Sequence, residues 1–167
     1  FTDSHIHLTS NKYSSDLSKV IESSIENGVG RIITSATDLE SIKQALEIAE
    51  KNDIVYATLG LHPEDIADMT KQDIDSVIQF TKTKLSHEKV IAVGEIGLDH
   101  RWINYMVSEK GYSYDELEKM QIYAFRKQLE LCLDHDLPAV IHIRESEKEV
   151  KEILEWFRDN EGIALLH

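Results

Sequence analysis

Five residues carry side chains suited to holding cations, and all lie at the ends of short apolar runs. They are His5 and His7 in Asp3-Ser4-His5-Ile6-His7, Glu95 in Val93-Gly94-Glu95-Ile96-Gly97-Leu98-Asp99, His142 in Val140-Ile141-His142-Ile143-Arg144, and His167. A carboxylate inside a β-branched run is costly to bury unless something cationic meets it. Side chains alternate along a strand, so Val93, Glu95, Gly97 and Asp99 share a face, and the glycine is expected to leave room for a ligand beside the glutamate. By the same alternation Asp3, His5 and His7 share a face, which aims two imidazoles at one point. Imidazole and carboxylate donors suit zinc, manganese, magnesium, iron, nickel or cobalt, and one glutamate can bridge two such divalent ions. Two ions sharing Glu95 and a hydroxide would sit about 3.5–4 Å apart, with His5 and His7 on one and His142 and His167 on the other. A hydroxide held in that way attacks phosphorus or a carbonyl carbon, which is hydrolase chemistry. A single histidine at a strand end is more often a hydrogen-bonded rim residue. The combination of four with a buried glutamate is what points to a metal centre.

Three further residues are expected at the same rim. His62, in Gly60-Leu61-His62-Pro63, falls on a proline-terminated loop, where it would hold a substrate oxygen or assist a leaving group, or else orient backbone. Arg144 shares a strand face with His142 and offers a fork for phosphate, its alternative being a salt bridge to Asp99 or Glu145. Asp99 is expected to contact substrate or to orient a ligating histidine from behind, and Asp3 the latter. Glu95, His62 and Arg144 are therefore the candidate catalytic residues, and His62, Arg144 and Asp99 the candidate substrate contacts. His87 reads as a solvated loop residue and His135 as a partner of a helix C-terminus, while His100 is left undecided. Trp102, Tyr105 and Tyr112 would either form a stacking shelf for nucleobases or pack their own loop onto the scaffold.

These residues must be positioned by something, and the chain alternates strand and helix throughout. Strands are expected over 2–8, 31–35, 54–61, 90–99, 139–144 and 162–167, as continuous apolar runs of the kind that parallel sheets bury on both faces. Between them, single apolar stripes predict helices over about 16–27, 39–51, 74–85, 113–137 and from 146 onward, three of them opened by capping boxes at Thr37–Glu40, Ser113–Glu116 and Ser146–Glu149. Residues 99–113 are expected as a long connection. An open doubly wound sheet and a closed (β/α)₈ barrel both fit the alternation. Clustering of polar residues at the carboxyl ends of five strands selects the barrel, whose mouth gathers such ends, whereas an open sheet spreads them along a line. A whole barrel needs about 250 residues, so residues 1–167 are expected to be a single hydrolase barrel domain with about six of eight βα units, incomplete at the C-terminal side.

The composition bounds the partners. With 31 acidic against 18 basic residues the net charge is −13, so no global basic field attracts nucleic acid and any polyanion must be met locally. One cysteine, Cys132, excludes an intrachain disulfide framework and fits a cytoplasmic setting. Its place in the stripe Leu129, Cys132, Leu133 makes it a packing residue. No apolar run is long enough for a membrane helix. The start at Phe1 rather than Met leads to the expectation of residues before it.

The segments Asp3-Ser4-His5-Ile6-His7-Leu8, Gly60-Leu61-His62-Pro63, Gly94-Glu95-Ile96-Gly97-Leu98-Asp99, Gln121 to Leu129 with Phe125, Pro138 to Arg144, and Leu166-His167 occur in an order and spacing that resembles the TatD family of metal-dependent deoxyribonucleases, among the amidohydrolase-like barrels. The resemblance implies a TIM barrel, divalent metal dependence, which fits the pair of ions read from the residues, and hydrolysis of phosphodiester bonds in DNA, as single strands or from 3′ ends. By position it implies that His5, His7, Glu95, His142 and His167 are metal ligands. Two departures stand out: the family's late-strand aspartate has no counterpart here, and the connection after Asp99 is longer than is typical. Two other functions compete. A related barrel hydrolysing a small ester, lactone, amide or phosphotriester suits the acidic surface, although many such barrels bridge their metals with a carboxylated lysine, and no lysine occupies the end of the central strand. A truncated, inactive barrel would act as a binding module. Taken alone, the 167 residues are expected to lack hydrolytic activity and to associate through unpaired edges at the first and sixth strands. Oligomeric state is not defined by the sequence.

Overall fold

The computed structural model describes residues 1–166, so the role expected of His167 lies outside the described residues. Six strands, β1 (Thr2–Ile6), β2 (Arg31–Ser35), β3 (Val55–Leu59), β4 (Val90–Asp99), β5 (Ala139–Arg144) and β6 (Ala164–Leu166), form one parallel sheet in the order β1-β2-β3-β4-β5-β6. In a doubly wound sheet the order reverses at a switch point. Here each strand lies beside its successor, and right-handed crossovers then put every helix on the same face. That is the winding of a (β/α)₈ barrel, of which six strands are present.

The helices are α1 (Leu17–Glu26), α2 (Leu39–Lys51), α3 (Lys71–Lys82), α4 (His100–Lys110), α5 (Tyr114–His135) and α6 (Glu147–Asp159). In α2, Ile42, Ala45, Leu46 and Ala49 recur at helical spacing and are buried. The main core forms where such stripes meet the strands, with Ile32, Val55, Leu59, Val93 and Ile96 packed together with Phe125 and Leu129 of α5. The caps differ from expectation. The box of α2 is Asp38 with Ser41, the Asp38 carboxylate accepting from Ser41 N at 2.7 Å while Ser41 Oγ accepts from Asp38 N at 2.8 Å. Ser113 makes no side-chain cap bond, and Ser146 donates instead to the Leu98 carbonyl at 2.9 Å, tying the start of α6 to the end of β4.

Residues 99–113 are not a loop. Asp99 accepts from Trp102 N at 2.6 Å and caps α4, which ends at Gly111 in a left-handed conformation with φ of 75°. Its residues have middling helix propensity, so packing decides. Ile103 and Met106 are buried with Leu117 in a second, small core edged by Trp102, Tyr112 and Tyr114. The aromatic residues thus serve mainly to seat this helix, with exposed Tyr105 stacked on Trp102 at 5.2 Å between ring centroids.

Two glycines set how closely β4 approaches β5. A Cβ on Gly94, at φ of 149°, would stand 2.6 Å from the Val140 carbonyl oxygen, and one on Gly97, at φ of 150°, would collide with the carbonyl of His142. The space beside Glu95 that the sequence assigned to a ligand is therefore filled at Gly97 by the backbone of the neighbouring strand. Among the described residues no helix is long and apolar enough to cross a membrane.

Candidate metal centre

The carboxyl ends of β1, β3, β4 and β5 bring five side chains together. Glu95, in β4, is only 3% exposed. His5 belongs to β1 and His7 follows it; His142 belongs to β5, in register with Gly97. Glu95 Oε2 lies 3.3 Å from His5 Nε2 and 3.5 Å from His7 Nε2. Its other oxygen, Oε1, lies 3.0 Å from His142 Nδ1 and 3.6 Å from His62 Nε2. One carboxylate thus divides its oxygens between two clusters, His5–His7 and His62–His142, each compact enough to surround a cation.

The hydrogen bonds behind the rings show which nitrogens are available. His7 Nδ1 lies 2.9 Å from the Ser35 carbonyl, which only accepts, so that nitrogen carries the proton and Nε2 turns a lone pair toward Glu95. A lone pair facing a carboxylate requires a cation between them, either a proton or a metal ion. Two donors each about 2.1 Å from one tetrahedral ion stand about 3.4 Å apart. The spacings of His5 and His7 from Glu95 fit that figure, so the donor set suits a transition-metal ion. Ser35 also places its hydroxyl 3.2 Å from His5 Nδ1 and accepts from Thr58 Oγ1 at 3.0 Å, so one residue at the end of β2 orients both histidines.

His142 meets a carboxylate at each nitrogen, Glu95 at Nδ1 and Asp99 Oδ2 at Nε2, both at 3.0 Å. A neutral imidazole can donate to only one of them. Burial pulls the His142 pKa down, but hydrogen bonds to Asp99 and Glu95 more than compensate and raise it to about 9. Burial likewise pushes the Glu95 carboxyl up, and the hydrogen bonds from His142, His5 and His62 outweigh it, holding the group far below the usual carboxylate range. Asp99 follows the same balance, with burial opposed chiefly by the hydrogen bond to His142, and ends below its ordinary value.

His62 differs in kind. Its Nδ1 accepts from Glu64 N at 3.2 Å, which leaves the ring proton on Nε2, directed at Glu95. It is close enough to join a metal cluster but arranged as a hydrogen-bond donor. Arg144 extends Nη1 to 3.8 Å from Glu64 Oε1 and 3.9 Å from Asp99 Oδ2, and its side chain is half exposed. Of the alternatives the sequence left open, the geometry therefore includes the Asp99 contact. Asp3 accepts from His5 N at 3.3 Å, a backbone contact that does not reach an imidazole. His100 is buried, with Nε2 3.2 Å from Glu118 Oε1, and belongs to the packing of α4 on α5. His87 pairs with Glu50 at 3.1 Å, and His135 sits in the last turn of α5.

Sequence reasoning passed over Ser35, Thr58 and Glu64, and gave no role to Gln121 and Gln128 although both lie in a segment that carries the family resemblance. The signal for the first two was a hydroxyl at the end of an otherwise apolar strand. For the glutamines it was an amide on the apolar stripe of α5. In front of Glu95, His7 and His62 opens a cleft of about 720 Å³ whose other walls include Asn11, Lys12, Asp38, Glu40, Glu64 and Asp65.

A segment of a parallel α/β barrel with histidines and carboxylates converging where its strands end defines a class, the barrels built around a metal centre. Within it the particular family is shown by the sequence, since the model of the TatD related DNase family matches residues 2–167 and the chain belongs to that family. The chain is 37% identical to the uncharacterized metal-dependent hydrolase YabD of Bacillus subtilis over 153 residues, covering 91% of this chain and 54% of that protein. It is 32% identical to the 3′-5′ ssDNA/RNA exonuclease TatD of Pantoea ananatis over 168 residues, covering 99% and 58%. Among solved structures it resembles YjjV, a TatD homolog from Escherichia coli, with a TM-score of 0.77 and 29% identity over 94% of this chain and 56% of that one. The fold also matches a TatD family hydrolase from Entamoeba histolytica, with a TM-score of 0.79 and 23% identity over 100% and 57%. The chain spans little more than half the length of these relatives.

Proposed function

We propose that this chain supplies most of the active site of a divalent-metal-dependent hydrolase that cleaves phosphodiester bonds of DNA, working on single strands or 3′ ends with two metal ions. The observation that carries it is the division of the Glu95 carboxylate, one oxygen facing His5 and His7 and the other facing His142. In this reading His5, His7, Glu95, His142 and, by motif position, His167 hold the ions. When bound, they supply Lewis-acid polarisation of the phosphate and a water that is acidic near neutral pH.

The chain's own residues then do the rest. Glu95 remains ionised because its imidazole neighbours stabilise the charge against burial. Asp99 holds the outer nitrogen of His142 and fixes the ring plane. His62 presents Nε2–H toward the centre, where it donates to a phosphate oxygen or to the departing alcohol. Arg144, loosely held between Glu64 and Asp99, swings its guanidinium onto a second phosphate oxygen. Residues 1–167 act as one domain. The names of relatives such as the Pantoea ananatis exonuclease support nucleic acid as substrate.

A second reading, a hydrolase of small esters, lactones or phosphotriesters, draws on the cleft walls, where Asp38, Glu40, Glu64 and Asp65 outnumber Lys12. The full-length polypeptide, loaded with manganese or zinc, is assayed on single-stranded DNA labelled at its 5′ end and on aryl esters and phosphotriesters. Stepwise shortening from the 3′ end is expected, and Glu95→Gln abolishes both it and stoichiometric metal retention. Turnover confined to the small molecules would overturn the nuclease reading.

A further inference from the structure

Helix α5 carries two glutamines, Gln121 and Gln128, seven residues apart and 2% and 1% exposed. Burying an amide is unfavourable unless both its ends are used, and an apolar residue would fill the same volume at less cost. Both ends of both amides are used, and none of the bonds is to another side chain. Gln128 accepts from Leu61 N at 2.7 Å and donates to Leu61 O at 3.1 Å, as a neighbouring strand would. Gln121 accepts from Asp99 N at 2.9 Å and donates to Pro63 O at 3.0 Å.

The backbone groups they hold flank the site. Leu61 and Pro63 stand on either side of His62, beyond the end of β3, where no strand ladder continues. His62 N itself donates to Thr37 O at 2.7 Å. The loop that aims His62 Nε2 at Glu95 is therefore pinned from outside at four backbone groups between Leu61 and Pro63, three of them by α5. Gln121 also holds the N–H of Asp99, whose carboxylate supports His142. One amide thus bridges the His62 arm and the Asp99–His142 arm, whose rings lie 4.4 Å apart between centroids.

We propose that Gln121 and Gln128 are positioning residues of the catalytic centre: Gln128 sets the His62 loop, and Gln121 fixes that loop relative to the Asp99–His142 pair. The proposal rests on the reading that His62 and His142 act at the centre. Its structural test does not depend on what the substrate is.

Gln121→Met and Gln128→Met keep the length and remove the hydrogen bonds. Gln121→Glu keeps the acceptor for Asp99 N and sets an oxygen against Pro63 O. In the full-length polypeptide, long-range ¹H–¹⁵N spectra of the imidazoles and hydrogen exchange of the Leu61 and Asp99 amides are recorded, with metal content and steady-state kinetics beside them. Gln121→Met is expected to move the nitrogen resonances of both His62 and His142 and to speed exchange at Asp99. Gln128→Met and Gln121→Glu move His62 alone, and His5 and His7 stay in place in all three. On DNA, kcat falls about ten- to hundred-fold for Gln121→Met, with KM changed far less. Unchanged imidazole spectra with only a lower melting temperature, or equal shifts in all four histidines, would show ordinary packing or general loosening and overturn the proposal. If the unaltered protein cleaves no phosphodiester, the functional reading fails while the spectra still decide this one. Should Gln121→Met not fold, Gln121→Glu and Gln128→Met decide between them: displacement of His62 with Asp99 protection retained is expected in both, and an undisturbed His62 overturns the proposal.

Discussion

His142 stands between two carboxylates, and with a pKa of about 9 it carries two protons at neutral pH when no metal is present. An ion held by His142, as proposed, would have to displace the proton on the nitrogen facing Glu95. Two opposite pH dependences follow. For His142, whose folded pKa lies above the unfolded value, the stabilisation of the metal-free protein is fully present below about 6.5 and lost as pH rises through about 9. Over the same interval metal affinity rises, by up to tenfold per pH unit while His142 is the proton competitor. Thermal unfolding between pH 7 and 9.5, with and without zinc or manganese, should show the metal-free melting temperature falling as the increment due to metal grows. An increment that stays flat with pH would place the ion away from His142. Asp99→Asn, which weakens the support behind this ring, is expected to lower metal affinity by about 10–100-fold, measured by competition with a chelating dye.

At the scale of elements, β4 delivers the chemistry and the two glycines set its distance from β5. Gly97→Ala puts a methyl group into the His142 carbonyl at a backbone angle that side chains rarely adopt. It should cost about 2 kcal/mol or more in denaturant unfolding and also weaken metal retention, because the strand it displaces carries His142, a proposed ligand. A loss of stability with metal binding intact would mean that the β4–β5 spacing is not coupled to the site. Much of this was legible beforehand. The apolar runs gave all six strands to within a few residues, and the histidines and Glu95 stood out as polar groups where apolar patterns end. Helix α4 was not legible, because its stripe of Ile103 and Met106 is short and its stability comes from packing on Leu117 of the next helix. The role of Gly97 was misjudged for a related reason: alternation along a strand says which face a residue occupies but not what the neighbouring strand brings there. The tautomers of His7 and His62 depend on the Ser35 carbonyl and the Glu64 amide, and sequence separation gives no hint of the first.

At the scale of the molecule, the sheet is wound in strict order, and among the described residues β1 pairs only with β2 and β6 only with β5. Beside β6 runs an apolar groove with Val150, Leu154 and Phe157 of α6, and Ile163, Leu165 and Leu166 are 68%, 55% and 61% exposed. In a complete barrel this is where the next βα unit packs. Residues 1–167 expressed alone are therefore expected to self-associate through these edges and to show no turnover of DNA. Sedimentation velocity and a nuclease assay check both. A monodisperse, active preparation would contradict this expectation.

The Asp99 carboxylate is shared between two tasks. One oxygen caps the first turn of α4 and the other steadies His142. The start of α4 and the plane of the His142 ring therefore hang from the same rigid planar group. Because its two oxygens are fixed to one carbon, a tilt of that helix and a tilt of that ring are geared to one another.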